Sequence, residues 1–418
     1  MFSATAATCG IAGLATLGVV IRPWNLPEYL WAVTGALLLV TLGLLPWQEA
    51  VAAAGKGLDV YYFLIGMMLL AEVARQEGLF DWLAAEAVRW SRKSASRLFL
   101  IVYGVGILVT VFLSNDATAV VLTPAVYAAT RAARVEPLPY LFVCAFIANA
   151  ASFVLPISNP ANLVVFGTAM PPLLEWLHYF AFPSVVSIAA TYCLLRFTQR
   201  AELARDVADH DSSPHLTTSG KIAAAGIAAT AVVLLAASGV GSDLGLPTLG
   251  CGLAITALVL AFERKPPWPV FADVSWSVIP LVGGLFILVE GLDRTGLLPA
   301  LAGQLKAMAA AAPHSTSWAA GLVTAFASNL INNLPMGLIA ATTTQGAQVS
   351  HEMTGAVLIG VDLGPNLSVT GSLATILWLI ALRREGEHVG ALRFLRVGIV
   401  VMPLSLVLAL LALSLMAL

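Results

Sequence analysis

Polar side chains gather at four places in a chain that is otherwise apolar. Ser114, Asn115, Asp116 and Thr118 stand together in FLSNDATAVVLTP (112–124), and Ser158, Asn159 and Asn162 lie in PISNPAN (156–162). Asn332 and Asn333 fall in NLINNLP (329–335), and Asn366, Gly371, Ser372 and Thr375 in GPNLSVTGSLAT (364–375). Amides and hydroxyls supply donors and acceptors without fixed charge, and none of the four stretches contains Lys or Arg. Such a set suits a small polar solute, or an oxyanion held by helix ends. Asp116 and Asp362 ask for a different chemistry. A carboxylate at membrane depth costs several kcal/mol unless it is protonated, paired or hydrated. Neither has a basic neighbour in sequence, so both are expected to carry protons.

The elements that position these residues follow from composition. Of 418 residues, 59% are hydrophobic and 11% charged, against roughly 25% charged in a soluble domain. Apolar stretches long enough for a hydrocarbon core of about 30 Å recur along the whole chain, which reads as an integral membrane protein. Net charge is −2 and the basic residues are scattered, so nucleic-acid binding has no electrostatic support. Cys9, Cys144, Cys193 and Cys251 stand singly in apolar stretches with no ligand spacing, so they read as small buried hydrophobes, and neither a metal nor a cofactor is expected. The stretch from Thr5 to Ile21 lacks a basic leader and reads as a first span.

Length and Pro/Gly punctuation place ten spans, near 5–21, 28–45, 59–75, 138–168, 180–197, 221–240, 247–262, 274–292, 353–380 and 397–417. Two further segments, 98–130 and 317–346, are apolar on both sides of a polar break. Arg89, Arg92, Lys93 and Arg97 precede the first and Arg131 and Arg134 follow it, so both its ends belong in the cytoplasm. From Ala307 to Leu382 there is no Lys or Arg, so both ends of the second fit the outer side. Each therefore reads as a re-entrant hairpin. Threaded this way, only Lys56, Arg294 and Lys306 fall outside, an 18 to 3 split of the 21 basic residues, and both termini are outside.

Long-period similarity runs through the chain. Asp59 to Ala84 pairs with Asp273 to Ala302, VTVFLSNDATAVVLTP with VTAFASNLINNLPMGL, and IANAASFVLPISNPANLVV with IGVDLGPNLSVTGSLATIL. The matches keep one order and a displacement of about 213 to 218 residues, and the charge-derived topology gives the two copies opposite orientation. The reading is an all-α polytopic protein with an inverted-topology repeat, broken helices and two re-entrant hairpins. Residues 1–58 are N-terminal helices, 59–197 the first repeat, 198–272 a cytoplasmic linker with two connecting helices, and 273–418 the second repeat. Inverted repeats mark alternating-access transporters. Backbone that leaves the helix at membrane depth survives only where protein or a wet cavity covers it, so the four breaks are expected to meet near the midplane and line a shared site. Half-helix N-termini would offer N–H donors there. Ser114 and Thr118 have another use, back-bonding to their own helix.

At these residues the chain resembles the ArsB-type arsenite and antimonite efflux permeases of the ion transporter superfamily. The resemblance rests on FLSNDATAVVLTP, on NNLP (332–335) and most specifically on DLGPNLSVTGSLATILW (362–378). It implies export of neutral As(OH)3 or Sb(OH)3 driven by proton entry, and an ArsA-type ATPase as a partner on the cytoplasmic face. Residue by residue it points to Asn115 and Asp116 at the first hairpin tip and to Asn333 and Pro335 at the second. In the last broken span it points to Asp362, Gly364, Pro365, Gly371, Ser372 and Thr375. Together with the reading from residue types, the expected substrate-binding set is Asn115, Thr118, Asn159, Asn162, Asn333, Gly371, Ser372 and Thr375, with Asp116 and Asp362 coupling protons. The rival reading keeps the architecture and carries a dicarboxylate or small inorganic anion with sodium. A channel fits paired inverted hairpins poorly. A membrane hydrolase lacks support, since the chain has neither HExxH nor GxSxG.

Overall fold

The polar breaks are visible first as interruptions of helix. The computed structural model describes residues 4–204 and 215–416, and all regular structure among them is helical. Residues 205–214 of the expected linker lie outside the described residues. The first half runs α1 (Ala4–Ile21), α2 (Glu28–Thr41), α3 (Trp47–Gly55), α4 (Leu58–Gln76), α5 (Leu79–Trp90), α6 (Ala95–Leu113), α7 (115–132), α8 (Leu138–Ala150), α9 (Pro160–Phe166) and α10 (Leu173–Thr198). The second runs α11 (Thr218–Gly239), α12 (Gly245–Glu263), α13 (Trp268–Asp273), α14 (Val278–Arg294), α15 (Leu297–Ala311), α16 (Pro313–Ile331), α17 (Asn333–Ala347), α18 (His351–Leu363), α19 (Leu373–Arg384) and α20 (Ala391–Met416). Six of these are long and apolar enough to cross a membrane singly, and α3 with α4 forms one more candidate bent by 49°.

The two series run in the same order, and three pairs of helices agree in length. α6 and α16 both have 19 residues, α8 and α18 both 13, and α10 and α20 both 26, each of the last two with one interior proline, Pro183 and Pro403. Three helices precede the motif-bearing segment in each series, α1–α3 in the first and α11–α13 in the second. Packing follows the same exchange: α2 lies along α14 of the other series, and α12 along α4. The α4–α12 contact is close because glycines face each other there. A Cβ on Gly252 would lie 2.6 Å from the Gly66 carbonyl oxygen, so this backbone approach admits no side chain.

Loop ion pairs tie helix ends that the charge pattern assigns to one face. Lys56 bonds Glu290 at 2.6 Å and Arg294 pairs with Glu49 on the outer side. Arg75 bonds Asp273 at 2.8 Å and Lys265 bonds Glu77 at 2.9 Å on the inner side. Around the broken spans, Phe142 and Phe146 of α8 pack on Trp378 of α19 and Phe394 of α20, and the Trp378 indole N–H donates to the Leu141 carbonyl at 2.8 Å. This aromatic block holds the helix before one break against the helix after the other.

Candidate functional site

Each hairpin turns at one strained residue. Ser114, between α6 and α7, has φ 124° and Asn332, between α16 and α17, has φ 72°. Such conformations cost non-glycine residues about 1–3 kcal/mol and persist only where the surroundings enforce them. Here each residue caps the helix it opens. Ser114 Oγ accepts from Ala117 N at 3.4 Å, and Asn332 Oδ1 from Leu334 N at 3.3 Å. α7 then passes through a π-helical turn, Thr118–Leu122.

The broken spans use the same device. Asn159 Oδ1 accepts from Ala161 N at 3.0 Å at the start of α9, and Ser372 Oγ from Thr375 N at 3.1 Å at the start of α19. All four half-helices therefore begin with a side-chain cap drawn from the break itself. At each start one of the free N–H groups is therefore already taken by the protein itself.

Hydrogen bonds connect the breaks. Asn159 Nδ2 donates to Asp362 Oδ1 at 2.8 Å, across from α9 to the end of α18. Asn149 Nδ2 donates to Asn366 Oδ1 at 3.0 Å and contacts Thr375 Oγ1 at 3.4 Å. Asn366 Nδ2 donates in turn to the Phe146 carbonyl at 3.1 Å. The second hairpin joins through Asn333 N, which donates to the Gly371 carbonyl at 2.8 Å, and Asn332 Nδ2, which donates to the Thr370 carbonyl at 3.2 Å. The first joins through Ser158 Oγ, which donates to the Val111 carbonyl at 3.2 Å, and through packing of 115–122 on α8 and α19.

What these bonds leave free is one-sided. Asn115 Oδ1, Asn149 Oδ1, Asn162 Oδ1, Asn333 Oδ1 and Asp362 Oδ2 are buried with no partner. All five are acceptors, and buried acceptors without partners cost about 1–3 kcal/mol each. A ligand that presents donors would recover that cost.

The expected residues divide accordingly. Asn115, Asn333 and Asp362 each keep a buried oxygen without a partner, and Asn159 holds Asp362. Asn162 spends its amide nitrogen on the carbonyls of Ser152, Leu155 and Pro156 and keeps its oxygen. Ser372 and Thr375 bond each other at 2.9 Å. Gly371 contributes only its carbonyl, and a Cβ there would lie 2.6 Å from Pro365 Cα. Thr118 is turned inward to Thr110 at 2.8 Å and to the Ser114 carbonyl, the back-bonding use. Asp116 lies apart from Asp362. With Ser114, Glu72 and Asp273 it lines a narrow cleft of about 70 Å³ toward the inner face. Asn149 and Asn366 are fully buried at the crossing; Asn366 belongs to the fourth break, whereas Asn149 falls outside the four polar stretches. The pairing of IANAASF with IGVDLGP, which sets Asn149 next to the counterpart of Asp362, is the signal for Asn149.

A larger cavity of about 540 Å³ opens toward the other face, between α4, α14 and the α11–α12 turn on one side and α9 and α17 on the other. It begins at Leu163 and Val164, directly after Asn162, and at Leu338, a little over one turn beyond Asn333. The wider space thus lies on one side of the breaks and the narrower on the other.

Comparisons with known proteins bear on the class. A family model described as citrate transporter matches residues 17–361. An arsenical pump membrane protein of Yersinia enterocolitica is 28% identical over 355 residues, covering 80% of this chain and 81% of that protein. Its Escherichia coli K12 counterpart is 27% identical over 394 residues, covering 88% and 89%. A putative arsenical pump membrane protein of Bacillus subtilis is 22% identical over 412 residues, covering 92% and 93%. The crystal structure of the Alcanivorax borkumensis YdaH transporter, described as having an unusual topology, aligns with TM-score 0.55 at 17% identity, covering 88% of this chain and 86% of that one, a likeness of fold. The chain is an integral transporter of the bacterial inner membrane. With 17–361 matched, it belongs to the citrate transporter family of the ion transporter superfamily.

Proposed function

We propose that the chain exports arsenite and antimonite, as the neutral trihydroxides As(OH)3 and Sb(OH)3, from the cytoplasm in exchange for protons. The observation that carries this is the character of the free groups: five buried acceptor oxygens, four of them amide, with no basic side chain among them. A trihydroxide brings three O–H donors and no charge, so it satisfies acceptors without a counter-ion. Citrate would bring carboxylates against carbonyl oxygens and Asp362. The arsenical-pump names of the relatives point the same way.

In this reading the two halves are inverted repeats, and the exchange of bonds supports it. Asn149 reaches Asn366 and Thr375 while Asn159 reaches Asp362, the pattern expected when each broken span contacts its counterpart across a pseudo-two-fold axis. The boundaries 59–197 and 273–418 hold the hairpins and broken spans, and α4 and α14 form a wall against which they move. Asn115, Asn149, Asn162 and Asn333 bind the cargo. Asn159 positions Asp362, and Ser372, Thr375 and Gly371 shape the break. Asp116 in the inner cleft and Asp362 at the crossing take and release the coupled protons, so that cargo and proton compete for one set of oxygens. A docked ArsA-type ATPase would add ATP-dependence to a flux that the proton gradient drives alone.

The test is arsenite uptake by everted vesicles under an imposed pH gradient, comparing the intact chain with Asp116→Asn and Asp362→Asn. Gradient-driven uptake should be lost in both variants at normal membrane levels. Uptake that ignores the gradient and requires sodium would favour the sodium-coupled reading instead.

A further inference from the structure

The base of the first hairpin carries positive charge that the transport reading does not use. Three segments meet there: 91–97 before α6, 131–140 between α7 and α8, and 192–203 at the end of α10. Tyr140 Oη donates to the Ala95 carbonyl at 3.3 Å. Phe99 packs on both Tyr140 and Tyr192, with ring centroids 6.3 and 5.8 Å apart, and the turn Glu202–Ala204 lies against α6. Together the segments hold seven basic and two acidic residues, so their net charge is strongly positive. Arg92, Arg97, Arg131 and Arg134 are exposed, and among the described residues no side-chain hydrogen bond or ion pair engages any of the four. Basic residues at other helix ends are used differently: Lys56, Arg75, Lys265 and Arg294 are each tied to a carboxylate.

The positive-inside rule accounts for the side on which these residues stand, but not for two further features. Arg92, Lys93 and Arg134 have left-handed backbone, with φ 48°, 67° and 54°. Glycine adopts that conformation without steric cost, and the chain uses it so at Gly78, Gly241 and Gly296. In this patch a basic side chain is kept at such a position three times, which implies that the side chain has a use. The second feature is the border of the patch. Trp90, Leu100 and Phe197 are 65%, 53% and 56% exposed, and the Arg200 guanidinium lies 4.7 Å from the centroid of the Phe197 ring. Exposed apolar side chains of a membrane protein face lipid, so the guanidinium groups beside them stand at the height of the headgroups. Arginine forks match phosphate oxygens, and arginines on separate segments can grip two phosphates at once. We infer that this patch binds an anionic phospholipid, best one whose headgroup carries two phosphates, and that the bound lipid fastens together the cytoplasmic ends of α6, α7, α8 and α10. The inference is independent of which cargo the chain carries.

The experiment titrates the purified, delipidated full chain in detergent with tetraoleoyl cardiolipin, dioleoylphosphatidylcholine, inorganic pyrophosphate and poly-L-glutamate, and counts bound molecules by native mass spectrometry. Cardiolipin should bind saturably and more tightly than the other three. Arg97→Gln/Arg134→Gln should weaken it roughly tenfold or more, and Arg97→Lys/Arg134→Lys, which keeps the charge and loses the forks, should weaken it less. Lys221→Gln/Arg264→Gln, which removes two exposed charges outside the three segments, should leave cardiolipin binding unchanged. Hydrogen exchange of residues 91–97 and 131–137 should slow when cardiolipin binds the intact chain, and not in the glutamine double variant. Equal binding of phosphatidylcholine, or of pyrophosphate, would overturn the site, and equal binding of poly-L-glutamate would make it a surface for an acidic protein instead. Unchanged affinity in the Arg97→Gln/Arg134→Gln variant would also overturn it, and if that variant fails to fold, the ranking of the four probes on the intact chain still decides. Cardiolipin binding with unchanged exchange would overturn the fastening.

Discussion

The bond from Asn159 Nδ2 to Asp362 Oδ1 gives a quantitative handle on the proton step. It measures 2.8 Å, and its partners are 2% and 0% exposed. Its strength depends on the state of the carboxyl. Amide bonds between membrane helices average about 0.6 kcal/mol and reach about 1.7, whereas bonds to an ionised group contribute about 1.5–3 kcal/mol. A double-mutant cycle of Asn159→Ala and Asp362→Ala, read by denaturant unfolding of the purified protein in detergent, isolates this pairwise energy. If Asp362 exchanges its proton, the coupling energy should be about 1.5–3 kcal/mol at high pH, where the carboxylate is ionised. It should fall toward about 0.6 kcal/mol as pH drops and the carboxyl takes its proton. At high pH that corresponds to roughly a tenfold to 150-fold effect on the folding equilibrium. Asp362→Asn keeps an acceptor at Oδ1, so this variant should fold normally and show the small value at every pH. A coupling below about 0.3 kcal/mol throughout, or one that ignores pH, would refute the reasoning.

Further outcomes follow from other parts of the structure. None of Cys9, Cys144, Cys193 and Cys251 belongs to a break, so replacing all four, with Ala at buried Cys144, should leave arsenite transport largely intact; loss of activity at normal membrane levels would implicate a thiol. In that cysteine-free chain, Thr342→Cys in the wide cavity should react with impermeant thiol reagents from outside and Ala117→Cys in the narrow cleft from the cytoplasm; labelling from the reverse sides would invert the topology. Gly252→Leu drives a side chain into the Gly66 backbone and should cost about 1–3 kcal/mol or more in unfolding assays, whereas the same change at Gly250, which faces open space, should cost much less.

Much of this arrangement was legible in the sequence because the membrane makes its rules strict. Backbone polar groups have no water to turn to in lipid, so a run such as SNPAN or NNLP inside an apolar segment marks broken helix. Charge asymmetry reads the two segments as hairpins, and each loop ion pair joins helix ends that it assigns to one face. Other features depended on geometry that no one-dimensional pattern carries. Asn159 and Ser372 looked like substrate ligands by type, yet both cap helices, a role set by the backbone angle at the break. Thr118 turned to Thr110 because the tight hairpin brings α6 beside it. Asn149 lay a turn before its break in a run of Ala, and only the crossing of the two spans gives it Asn366. Asp116 and Asp362 read as equivalent intramembrane carboxylates, and the fold separates them, one lining the inner cleft and one bonded at the crossing. The three helices that open each series, α1–α3 and α11–α13, carry no polar motif to align.

The central claim is that a neutral donor-rich cargo leaves as protons enter through the crossing of two inverted halves. Its most direct measurement is flux of arsenite, citrate and sodium in proteoliposomes of the purified chain under an imposed pH gradient. The account predicts arsenite movement against the inward proton flow, without sodium or ATP, with Asp362→Asn binding arsenite but failing to couple. Citrate movement, or arsenite flux indifferent to the proton gradient, would contradict it.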